Sequence, residues 1–124
     1  MLKLLLSVVL GSGDAIAASE TPLLINSPQE LMQVAIDAPD GSAQGILTGE
    51  LASAIGRQFH TTAPLQVQVT TLKRYSQPGC RRLNVAIIQD AVVIPGNSTP
   101  ENKRIDFGID YCRDGSPPRS KREE

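Results

Sequence analysis

From Leu65 onward, apolar residues recur at every second position in three separate runs. LQVQVTTLKRY puts Leu65, Val67 and Val69 on one side against Gln66, Gln68 and Thr70. RRLNVAIIQ puts Leu83, Val85 and Ile87 against Arg82, Asn84 and Ala86, and RIDFGIDY puts Ile105, Phe107, Ile109 and Tyr111 against Asp106, Gly108 and Asp110. A period of two belongs to β-strands. Three strands with one apolar side each predict an antiparallel sheet, covered by helices on one face and wet on the other.

The two cysteines, Cys80 and Cys112, stand at the ends of the second and third runs. With these strands antiparallel and Cys80 opposite Cys112, Arg82 falls opposite Asp110 and Asn84 opposite Gly108. On the other face Leu83 meets Ile109, Val85 meets Phe107 and Ile87 meets Ile105; only Ile88, opposite Arg104, is mismatched. A slip of one residue would send every apolar side chain to the wrong face. Opposite Cβ atoms in such a pair come close enough for a disulfide. Gln77-Pro78-Gly79 reads as the turn of the preceding hairpin, Pro fixing φ and Gly free to make it positive. Keeping Val67 and Val69 on the apolar face pairs Val69 with Ile87 and Val67 with Gln89, across a three-residue loop or a bulge.

A staple is useful here because the core must be built almost entirely from Leu, Ile and Val: the aromatics are Phe59, Phe107, Tyr75 and Tyr111. A disulfide contributes roughly 2–4 kcal/mol to a small domain, provided the compartment is oxidising. The start of the chain, MLKLLLSVVLGSGDAIAASE, supplies that condition. Lys3, the apolar run Leu4 to Leu10 and Ala15-Ile16-Ala17 have the order of a secretory signal peptide over residues 1–17, cut after Ala17 or Ala18. The apolar run is too short to span a bilayer. A periplasmic or secreted protein is expected, with no membrane span after cleavage. A redox role for the cysteines needs a nearby partner thiol, and a zinc site needs more Cys or His than the chain has, so neither a metal nor a cofactor is expected.

Residues 18–113 read as one small α+β domain. Ser27-Pro28-Gln29-Glu30 is a capping box with Pro at the first helical position, opening a helix over 28–37 with Leu31, Val34 and Ala35 on one face; the same run also fits a strand. Ala38 to Gly45 is predicted as loop around Pro39-Asp40-Gly41. Leu51, Ile55 and Phe59 set a second helix, weakened by Gly56 and ended by Pro64. Val92 to Lys103 is predicted as a long loop. DGSPPRSKREE, residues 114–124, is charged and free of large apolar residues, the composition of a disordered tail. The predicted architecture is a three-stranded antiparallel sheet with one or two helices on one face and one cross-strand disulfide.

Residues able to carry chemistry are few. His60, the only histidine, has no local nucleophile or orienting partner and suits a helix C-terminus facing water. Asp106, Asp110 and Asp114 could serve acid–base work or bind Ca²⁺, but they fall on the wet face, and Asp110 has Arg82 as partner. Gly41, Gly45 and Gly49 do not follow a strand as a phosphate loop does. Lys73, Arg74, Arg81 and Arg82 flank the Pro-Gly turn and could meet an acidic partner. A net charge of −1 and the scarcity of stacking aromatics speak against nucleic acid.

LKRYSQPGCRRLNV and IDFGIDYCRDGSPP, with the signal peptide, resemble small periplasmic accessory proteins of conjugative-transfer (type IV secretion) gene clusters. The likeness rests on Tyr75, Gln77, Pro78, Gly79, Cys80, Arg82 and Leu83, then on Phe107, Gly108, Cys112, Arg113, Asp114, Gly115 and Pro117-Pro118. It implies a non-enzymatic component or assembly factor of an envelope-spanning machine, with a protein partner in the cell envelope. The alternative is a secreted inhibitor or binding module acting through the Pro-Gly hairpin. A hydrolase would need a concave polar pocket.

Overall fold

The computed structural model describes residues 21–124; the expected signal peptide lies outside the described residues. The elements are β1 (Leu23–Ile25), α1 (Pro28–Asp37), β2 (Ala43–Leu47), α2 (Glu50–Gln58), β3 (Leu65–Arg74), β4 (Cys80–Val92) and β5 (Glu101–Cys112). The fold is α+β, but the sheet has five strands rather than three, in the order β1-β2-β3-β4-β5. It is mixed: β1 and β2 are parallel and the rest antiparallel. The two strands not expected are β1 and β2, and β2 lies partly in the run expected to be loop. Its Gly45 reads as a breaker but is there for space: a Cβ would sit 3.1 Å from Ile25 Cδ1 and 3.2 Å from Leu31 Cδ1. The glycine lets β1 and α1 close onto β2.

The helix reading of 28–37 holds, with Pro28 in the first turn, but the buried face differs. Leu31, Met32, Ala35 and Ile36 are buried and Val34 is 40% exposed, because the stripe leans towards the 32/36 side. The capping box itself is not made: Ser27 makes no side-chain cap bond, and the Glu30 carboxylate reaches one residue further back to accept the Asn26 N–H at 3.3 Å. The helix packs these residues against Leu47, Leu65, Val67, Val69, Leu83 and Val85, the main core. α2 buries none of its residues fully; Ala52 and Ile55 only lean on the core.

Between β4 and β5 the structure has the register read from the cysteines, including Arg82 with Asp110, Val85 with Phe107 and Ile88 with Arg104. Cys80 and Cys112 stand opposite one another, bonded, with Cα atoms 4.0 Å apart. The pairing also extends further than expected. β4 continues to Val92 and β5 starts at Glu101, across a bulge at which Ala91 takes φ 58°. The loop is therefore shorter than the predicted span from Val92 to Lys103.

The β3–β4 register is displaced by two residues from the expected one: Val67 pairs with Ile87, Val69 with Val85 and Leu65 with Gln89. A bulge at Leu72 accounts for one residue of the difference, since beyond it Lys73 faces Arg82 and Arg74 faces Arg81; the turn, longer than the predicted three residues with Tyr75 opposite Cys80, accounts for the other. The turn is closed by Cys80 N–H donating to Gln77 O at 3.2 Å, with Gly79 at φ 75°. A one-residue bulge also exchanges the faces of everything after it. That exchange carries Tyr75 to the wet face, where it covers the disulfide in a second small cluster.

The tail expected to be disordered instead runs back along this hairpin. Ser76 N–H donates to Arg122 O at 2.7 Å and Glu124 N–H to Arg74 O at 3.1 Å, and Gln77 Oε1 accepts the Arg119 and Ser120 amides. The physical reason is hydrogen bonding: main-chain groups of Arg74 and Ser76 and the Gln77 carboxamide find partners in the tail. The hairpin end also sets Lys73 opposite Arg82 and Arg74 opposite Arg81, an unfavourable arrangement relieved locally by Glu123 on Lys73 and Asp110 on Arg82.

Candidate functional site

The cations singled out in the sequence do not form one free patch. Lys73 pairs with Glu123 at 3.8 Å, and Arg82 pairs with Asp110 at 3.3 Å. Arg81 donates to Thr71 Oγ1 at 3.1 Å, and burial, then the neighbouring Arg74 cation, lowers its affinity for a proton. Arg74 lies on the opposite face from Lys73, its carbonyl held by the end of the chain.

Of the three aspartates, Asp110 is the best enclosed, with its side chain 15% exposed. It accepts the Tyr75 hydroxyl at 2.7 Å and pairs with Arg82 and with Lys121 at 3.1 Å. The Tyr75 hydrogen bond is the main reason that its carboxyl is lowered to about 2, and the same bond raises the Tyr75 phenol. Asp106 accepts from Arg104 and Asn84, and Asp114 caps its own turn at Ser116. Each carboxylate is thus engaged in the fold, and no group of three His, Cys, Asp or Glu able to hold a metal occurs among the described residues.

His60 has a structural account. It sits just past α2 at φ 53°, with its N–H donating to Arg57 O and the Thr61 N–H donating to Gly56 O. This is a Schellman cap with histidine in the left-handed position that glycine usually takes. Beside it opens a polar cleft of about 840 Å³ lined by Thr48, Ser53, Arg57, His60, Thr61 and Gln89. Among the described residues, no side-chain hydrogen bond joins His60 to a hydroxyl or carboxylate there, so the cleft holds no assembled nucleophile and base.

The apolar side chains left uncovered lie elsewhere. β4 and β5 run 13 and 12 residues, and at about 3.4 Å per residue they span roughly 40 Å. α1 has 10 residues and α2 has 9, about 15 Å each. Two such helices cover only part of the sheet. The uncovered part is the middle of β5, where Ile105 is 64% and Phe107 42% exposed on the face that elsewhere carries the core. Ile105 forms the lip of an apolar groove of about 270 Å³ between α2 and β5, with Ile55, Phe59, Ile87, Val92 and Ile94 as walls. β5 is also an outer strand of the sheet, the other being the three-residue β1. Arg113 N–H bonds inward to Gly79 O, whereas Cys112 N–H bonds outward to Ser116 O. By alternation the amides of Arg104, Asp106, Gly108 and Asp110 face outward along an open edge. Sequence periodicity had placed Ile105 and Phe107 in the core; only the short predicted helices hinted that the cover would run out.

Among the described residues no helix is long and apolar enough to cross a membrane. The chain matches no family model, no curated protein and no solved structure.

Proposed function

We propose that this protein is an exported, non-enzymatic interaction module that docks a protein partner along β5. The observation carrying this reading is the conjunction of an open edge strand with Ile105 and Phe107 exposed beside an apolar groove. An edge of this kind recruits another strand through main-chain bonds, while the flanking apolar side chains add specificity. The disulfide and the absence of a membrane-crossing helix among the described residues are compatible with a periplasmic or secreted location. In that setting, the resemblance to accessory proteins of conjugative transfer makes the partner a component of an envelope-spanning secretion machine.

The test is photo-cross-linking in the native host. A photoactivatable residue at position 105 is expected to give discrete adducts, and one at Asn84, on the opposite face, is not. Equal labelling from the two positions, or no adduct from 105, would refute docking along β5. Recovery of the protein in the cytosol with both thiols free would refute the exported role.

A further inference from the structure

We infer that the strand docking on β5 is the β5 of a second copy, joined about a two-fold axis at Phe107. This rests on the reading of β5 as the docking edge and names its occupant. A two-fold antiparallel pair places each residue opposite the one equally far from the axis on the other side. Residues whose amides face outward must meet one another, which restricts the axis to positions on β5 rather than between them. Centred on Phe107, the helix-side face brings Phe107 against Phe107 and Ile105 against Ile109, with Lys103 against the ring of Tyr111. On the wet face Arg104 meets Asp110 and Asp106 meets Gly108. The Phe107 pair lies on the axis and occurs once, and the other contacts occur twice. Arg104, which already holds Asp106 of its own strand, meets Asp110, which already holds Arg82 and Lys121, so the seam extends an existing charge network and sets no like charges opposite one another on the wet face.

The neighbouring registers fail on the same residues. Centred on Asp106, two aspartates oppose each other. Centred on Gly108, Asp106 opposes Asp110 and Lys103 opposes Arg113. Centred on Ile105, Lys103 lies against Phe107 and Glu101 against Ile109. Like charges directly opposite one another are unfavourable in a sheet. The open edge closes at Cys112, whose amide is already taken by Ser116 O, so a partner strand pairs with the segment before it. Charged edge strands ordinarily discourage association; on this one the signs are complementary under a two-fold. The result is a continuous ten-stranded sheet with the two apolar grooves on one face.

The purified protein is expected to sediment as a dimer. Phe107→Lys, at an exposed position, is expected to raise Kd at least about tenfold, with a melting temperature matching the parent's at concentrations where both are monomeric. Register is read by introduced thiols on folded protein with the native disulfide intact. Phe107→Cys places two thiols opposite one another and is expected to form a covalent dimer. Ile105→Cys, whose copies stand about 14 Å apart in this register, is expected to react at least about tenfold more slowly. A monomer that still gives heterologous adducts from position 105 overturns the second copy and keeps β5 as the docking edge. A monomer without adducts overturns both. Cross-linking at 105 as fast as at 107 overturns the register and with it the inference.

Discussion

Reducing the Cys80–Cys112 bond tests what holds the sheet together. The link closes a loop with a sequence separation of 32 residues. For a loop of that length, the lost freedom of the unfolded chain is worth about 4 kcal/mol at 25 °C. Both sulfurs are buried against Tyr75, but reduction removes no atoms and opens no cavity, so the effect falls mainly on the unfolded state. A domain of this size has a total stability of about 5–10 kcal/mol, so reduction removes a large fraction of it. The assay is urea unfolding with and without a phosphine reductant, starting from the unfolded side so that the buried bond is accessible. With a slope near 1–1.5 kcal/mol/M, the midpoint should fall by about 3 M. The slope itself should rise, because an unlinked chain exposes more surface when unfolded. A shift equivalent to less than about 1 kcal/mol, or an unchanged slope, would refute the account of the bond as a constraint on the unfolded chain.

His60→Gly should stabilise the protein by about 0.5–1 kcal/mol, since glycine takes positive φ without the steric cost that histidine incurs; a melt of the variant reads this directly. Asp110 has its carboxyl lowered from 3.8 to about 2 in the folded state. Its contribution, about 2 kcal/mol, is therefore complete above pH 4 and lost as pH falls from about 4 to 2. Urea midpoints across that range should show the loss, and Tyr75→Phe should shrink it. Removing residues 119–124 should lower stability by about 1 kcal/mol with little dependence on salt, read from urea midpoints, because the hairpin end loses the bonds made to Arg74, Ser76 and the Gln77 side chain. Gly45→Ala should cost about 1–3 kcal/mol by crowding Ile25 and Leu31, read as a drop in melting temperature.

The β4–β5 half of the fold was legible because two kinds of information agreed there: the cysteines proposed a pairing, and alternating side chains matched it. β2 was illegible because Gly41 and Gly45 resemble loop residues, and the need for Gly45 comes from β1 and α1, which only the tertiary structure brings together. The Leu72 bulge and the extra residue of the turn left no signature in the alternation, so the first hairpin's register was read two residues away. The tail's docking rests on main-chain groups of Arg74 and Ser76 and on the Gln77 side chain, partners that composition does not single out. For the candidate site, Ile105 and Phe107 were correctly placed on the apolar face. Their exposure depends on how far two short helices reach across the sheet, a length comparison that periodicity does not contain.

Each strand of this protein lies next to the strand that precedes it in the chain. A polypeptide emerging amino-end first can therefore add segments one after another without waiting for a distant partner. The sulfur of Cys80 must wait for Cys112, 32 residues further along and at the far end of β5. Oxidation then seals an assembly whose strand order is already decided, and an oxidant arriving late would slow the sealing without scrambling the layout.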